Sequence, residues 1–131
     1  MINEDVRHII EPKLLVSETL LWASRVSDET IQKEIGLSKF VRSIFGKSTK
    51  FKDPVFYAIT NLRLLALTEG GDFAEDMPLS EMELYVDLGN GNREFLVSRK
   101  NDPDSERGFH FYLADNLFEA KQLLTNKFEL K

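Results

Sequence analysis

The chain has 131 residues, enough for one domain with its own core. With 42% apolar residues, 30% charged residues and no cysteine, it has the composition of a folded domain and excludes disulfides, thiolate catalysis and cysteine-bound zinc. Its 17 basic and 22 acidic side chains leave a net charge of −5, which argues against a general nucleic-acid or anionic-membrane binder, and no apolar run approaches the ~18 residues of a membrane span.

The acidic start, Met1 to Asp5, differs from a secretory leader, whose beginning is positive and then apolar. A cytoplasmic placement is expected from this. Ile2, Val6, Ile9 and Ile10 share one side of a short helix over residues 2–10, which Pro12 ends. Thr19 to Val26 reads as a first strand.

Ser27 or Asp28 can cap a following helix, along which Ile31, Ile35, Phe40, Val41, Ile44 and Phe45 keep helical spacing up to Gly46. Gly36 interrupts this run, so it fits one helix or two short ones. Residues 47–53 are polar and read as a loop.

From Pro54 the period changes to two. Val55–Thr60 and Leu62–Thr68 are expected to pair as strands, and Glu69 to Asp72 supplies a turn. Asp72, Glu75 and Asp76 after that turn read as a solvated acidic loop, because they lack the oxygen spacing and distal glutamate of a calcium site. Met82, Leu84, Val86 and Leu88 alternate with Glu83, Tyr85 and Asp87, which predicts a strand burying the first set. Gly89 to Asn92 offers hairpin chemistry, Arg93–Arg99 returns, and Phe109, Phe111 and Leu113 mark a last strand. Asp115 or Asn116 caps a closing helix with Leu117, Ala120, Leu124 and Phe128 on one face and Leu123 at its edge. That apolar stripe must be buried against the sheet.

Leu15 to Arg25, the Thr60-Asn61-Leu62-Arg63 turn between two apolar strands, the Pro78 to Met82 lead-in and the terminal helix together resemble bacterial pleckstrin-homology-like (PH-like) domains. The resemblance covers most of the chain outside residues 28–53. It implies a mainly β (α+β) fold: a bent antiparallel sheet or β-sandwich capped by the C-terminal helix. Residues 1–131 then form one domain, with an N-terminal helical extension over 1–12 and an insertion at 28–53 that is helical over about 28–46. It also implies no enzymatic activity and a tendency to self-associate.

No nucleophile elbow, P-loop, dinucleotide fingerprint or zinc-protease motif occurs, and Gly89-Asn90-Gly91 is followed by a strand rather than a helix. No catalytic, cofactor-binding or metal-ligating residue is therefore assigned. His110, beside Tyr112, reads as a solvated or hydrogen-bonded sheet histidine, Trp22 as a core anchor, and Arg63 as a support for the Thr60-Asn61 turn through backbone carbonyls or a carboxylate.

Charge is unevenly spread. Residues 36–52 hold five basic groups and no acid. Lys39, Arg42, Lys47, Lys50 and Lys52 are interleaved with Phe40, Val41, Ile44, Phe45 and Phe51, and they are the candidate ligand- or partner-binding residues. The pattern suits a helix packed on the sheet with its lysines in water, contact with an acidic patch on a partner subunit, or a helix resting on an anionic membrane. The leading expectation is a non-catalytic module that binds a protein partner or a copy of itself. Peripheral binding to anionic lipid through 39–52 is the alternative.

Overall fold

In the computed structural model the described residues are 4–26, 54–68, 70–89, 94–100, 108–112, 114 and 116–129. Among them the elements run α1 (Glu4–Ile10), a 3-10 turn (Glu11–Lys13), β1 (Leu20–Arg25), β2 (Phe56–Thr60), β3 (Arg63–Leu67), β4 (Phe73–Pro78), a 3-10 turn (Leu79–Glu81), β5 (Met82–Gly89), β6 (Glu94–Arg99), β7 (Phe109–Tyr112) and α2 (Leu117–Lys127). Two antiparallel sheets result, in the orders β1-β2-β3-β4 and β5-β6-β7. The fold is mainly β with a C-terminal helix, as expected from the alternation of apolar residues after Pro54. The expected helical insertion at 28–46 lies outside the described residues.

Registers sort the side chains of the first sheet onto two faces. Trp22, Ile59, Leu64 and Met77 form one cross-strand row, and Ser24, Tyr57, Ala66 and Glu75 the next on the same face. This face meets the second sheet through aromatic contacts. The Trp22 ring meets Phe111 edge-on at 6.0 Å, Tyr57 lies 5.5 Å from Phe111, and Phe95 stacks on Phe111 at 4.4 Å. Such rings bury large apolar areas and add pair energies of about 1 kcal/mol each. A single bridge between Val26 and Ala114 ties the end of β1 to the chain beyond β7.

The opposite face carries Ala23, Ala58 and Leu65 in one row and Arg25, Phe56, Leu67 and Phe73 at one end. All of β2, and all of β3 except Arg63, is buried, so this face is covered as well. The N-terminal arm supplies part of the cover. Val6 and Ile10 are buried, and the Ile9 side chain comes within 3.6 Å of the position a Cβ would take on Gly71. Glu18 then reaches the other end of the sheet at Thr60 and Arg63. The arm therefore runs the length of the sheet before β1 begins.

Helix α2 starts from Asn116 in the left-handed region (φ 60°), without a side-chain cap bond. Leu117, Ala120 and Leu124 enter the common core, and Leu123 and Phe128 pack partly against it. Lys121 places its ammonium 5.5 Å from the Phe95 ring centre, while Leu21 of β1 shares a shallow groove with Leu123. The helix thus spans from one sheet to the other and closes the open side of the sandwich.

Two expectations from the sequence are corrected. The acidic run 72–76 is not a loop throughout: Phe73–Pro78 is an edge strand paired to β3. In β5 the predicted facing is inverted at Leu84, Tyr85 and Val86. A register shift between Met82 and Tyr85 leaves Met82 buried but turns Tyr85 inward onto Phe95, at 6.3 Å. Leu84 (39% exposed) and Val86 (41%) face solvent instead. One inserted residue moves the side chains that follow it to the other face, here Tyr85 and Val86. At the shift the Ser98 hydroxyl accepts from the Leu84 amide and donates to the Leu84 carbonyl, each at 3.2 Å.

Candidate functional site

The five basic candidates Lys39, Arg42, Lys47, Lys50 and Lys52 all lie outside the described residues. Three other arrangements can be built from the residues upward.

The first is the lock behind the Thr-Asn-x-Arg turn. Arg63 grips the Glu18 carboxylate with two bonds, Nε to Oε2 at 2.8 Å and Nη2 to Oε1 at 2.9 Å. The Thr60 hydroxyl donates to Glu18 Oε2 at 2.7 Å and accepts from the amides of Leu62 and Arg63. The Leu15 amide donates to Glu18 Oε1. Asn61 accepts from the Thr19 amide at 2.7 Å and donates to the Ser17 carbonyl. Burial alone pushes the Glu18 carboxyl up, but its hydrogen bonds from Arg63, Thr60 and Leu15 outweigh that and hold it below the usual carboxylate range. Arg63 therefore supports the turn through a carboxylate, as the sequence suggested. The partner is Glu18, 45 residues away, and spacing gave no sign of that pairing. The lock fastens the N-terminal arm to the sheet and presents no reactive group to solvent.

The second is the outer face of the three-stranded sheet. Val86, Leu96 and His110 form a cross-strand row, with Glu94 and Tyr112 opposite each other beside it. His110 Nε2 and Glu94 Oε1 are 2.8 Å apart. His110 is thus a hydrogen-bonded sheet histidine, as expected. Among the described residues no group of three histidine or carboxylate side chains is disposed to hold a metal ion. No described helix is long and apolar enough to cross a membrane.

The third is the corner where the chain passes from one sheet to the other. β4 and β5 are edge strands, and among the described residues neither has a strand on its outer side. Residues 72–89 contain six acidic side chains and no basic one. Asp72, Glu75, Asp76 and Glu83 are exposed. Two basic residues from neighbouring strands reach the corner: Arg63 lies 3.8 Å from Asp76, and Arg99 binds Glu81 at 3.0 Å. Partial burial pushes the Glu75 carboxyl above its ordinary range, although His110 and Arg99 act in the opposite direction. Exposed Phe73, Leu84 and Val86 lie on these same strands. Sequence reasoning named the acids and missed the strand that displays them.

Leu21, Glu119, Gln122, Leu123, Asn126 and Lys127 line a shallow groove of about 290 Å³ beside α2. Compared with known proteins, the chain matches no family model, no curated protein and no solved structure.

Proposed function

We propose that this chain is a non-catalytic interaction module of the PH-like class that binds a protein partner or a second copy of itself. The observation that carries the reading is the edge strand β5, whose outer side has no strand partner among the described residues and whose Leu84 and Val86 are exposed. An unpaired edge offers a row of backbone donors and acceptors, and adjacent apolar side chains give a second strand something to bury. The four-plus-three sheet order closed by a terminal helix supports the PH-like assignment, because that resemblance implies a bent sheet capped in this way. A cytoplasmic location fits the lack of cysteine.

Amide hydrogen exchange on the full chain tests the reading. Association, induced by concentration or by an added partner, should slow exchange along β5, and the double variant Leu84→Ser/Val86→Ser should abolish both. Association that leaves β5 exchange unchanged would overturn it. The second reading, anionic-lipid binding, draws on the five basic residues of 39–52. It requires sedimentation with anionic vesicles at low salt that disappears when all five become glutamine.

A further inference from the structure

Edge strand β5 offers a landing site of limited length. Its pairing with β6 is regular only over Tyr85, Val86 and Asp87, with a register shift on either side. Bulges of this kind twist an edge away from long, flat partners. The stretch between them suits a short extended segment better than the edge of another sheet. Exposed Leu84 and Val86, two residues apart, stand on its outer face, and Glu83 is exposed beside them.

The charge around this strand is one-sided. Residues 72–89 hold six acids and no base. Among the described residues, Arg63, Arg99 and Lys100 approach them. Arg63 is held by Glu18 and faces Asp76, and Arg99 is bound to Glu81. Exposed Asp72, Glu75 and Glu83 form no ion pair among the described residues. An acidic segment is repelled here, and one that carries lysine or arginine between aliphatic residues is attracted.

We infer that the β5 edge takes a short extended segment of another protein, in which aliphatic residues alternate with lysine or arginine. The backbone of that segment continues the ladder from Tyr85, Val86 and Asp87. Its aliphatic side chains, recurring with the strand period of two, cover Leu84 and Val86, and its cations answer the unpaired carboxylates. This rests on the interaction-module reading and gives the partner of that module a chemistry. Neither β4 nor β5 contains a basic residue, so the same edges of a second copy do not supply these cations.

Designed peptides test this on the full chain. The probe is a fluorescein-labelled octapeptide alternating valine and lysine. It is compared with one alternating valine and glutamate, and with a valine–lysine peptide N-methylated at every backbone amide, which has no donors for a ladder. Fluorescence anisotropy should show the valine–lysine peptide binding at low salt and weakening roughly tenfold in Kd at high salt, because exposed charge pairs are screened. The other two should bind at least about tenfold more weakly. Amide exchange along β5 should slow when the valine–lysine peptide binds. Glu75→Lys with Glu83→Lys should weaken binding roughly tenfold, and Leu84→Ser/Val86→Ser should abolish it. Circular dichroism and thermal melting confirm that each variant folds, and Glu75→Gln with Glu83→Gln serves if the lysine pair does not. No binding of the valine–lysine peptide overturns the inference. So does equal binding of the lysine and glutamate peptides, undiminished binding of the methylated one, or binding that leaves β5 exchange unchanged. If the chain then still associates with itself or another protein and β5 exchange slows, the edge-strand module stands and the basic segment falls as its partner.

Discussion

Replacing Glu18 by glutamine tests the lock most directly. The Glu18 side chain is fully buried and Arg63 is 19% exposed. The change removes the charge that Arg63 was folded around and leaves one of its two bonds without an acceptor. Removing one member of a buried, hydrogen-bonded ion pair costs about 3 to 5 kcal/mol. Asp76, at 3.8 Å from Arg63, and the surviving contact to Thr60 favour the low end, about 3 kcal/mol. With an unfolding entropy of about 2.1 cal/mol/K per residue, 131 residues give about 275 cal/mol/K, so Tm should fall by about 11 °C at neutral pH. The gap should depend on pH in a defined direction. The folded-state pKa of Glu18 is lowered, so its stabilisation is fully present above the unfolded carboxylate value of 4.5 and is lost as pH falls through the folded value. Wild type and Glu18→Gln should therefore converge in acid. Differential scanning calorimetry across the acid range measures both effects. Pairing the change with Arg63→Met in a double-mutant cycle separates the coupling from the cost of a stranded guanidinium. A Tm gap under about 2 °C at neutral pH, or one that does not shrink in acid, refutes the reasoning.

Three further outcomes follow from particular contacts. Trp22→Phe should cost about 1 kcal/mol in chemical denaturation, against about 3 to 5 for Trp22→Ala, because the buried indole N–H has no hydrogen-bond partner among the described residues to lose. Gly108→Ala should cost about 1 to 3 kcal/mol, since the added Cβ would sit 2.9 Å from the Val97 carbonyl oxygen, a backbone atom that cannot move aside cheaply; an unchanged denaturation midpoint would contradict this. Leu84→Ser and Val86→Ser should each change monomer stability by no more than about 0.5 kcal/mol, because both side chains face solvent, and a larger loss measured at low protein concentration would mean that they are core residues.

Local pattern carried much of the fold. The alternation at Phe109 and Phe111, the apolar runs on either side of Thr60-Asn61, and the stripe Leu117, Ala120, Leu124 each report their element because the side chains that must be buried recur at the element's own period. Those elements stand within a few residues of their predicted bounds. β4 was missed because an edge strand exposed at five of its six residues has no apolar period to read; its pairing with β3 makes it a strand. The facing of β5 was misread because a register shift depends on the partner strand and on Ser98, 14 residues from Leu84.

By itself, the sequence determined the composition class, the β-rich order of elements, the closing amphipathic helix and the separation of a basic segment from an acidic remainder. The tertiary structure decided that Glu18 and Arg63 belong together, that Leu84 and Val86 point outward, and that Glu75, Asp76 and Glu83 lie on edge strands. The physical reason is range. Periodicity and turn chemistry act between near neighbours in the chain, whereas ion pairs, register and edge position arise only when strands distant in sequence are brought side by side.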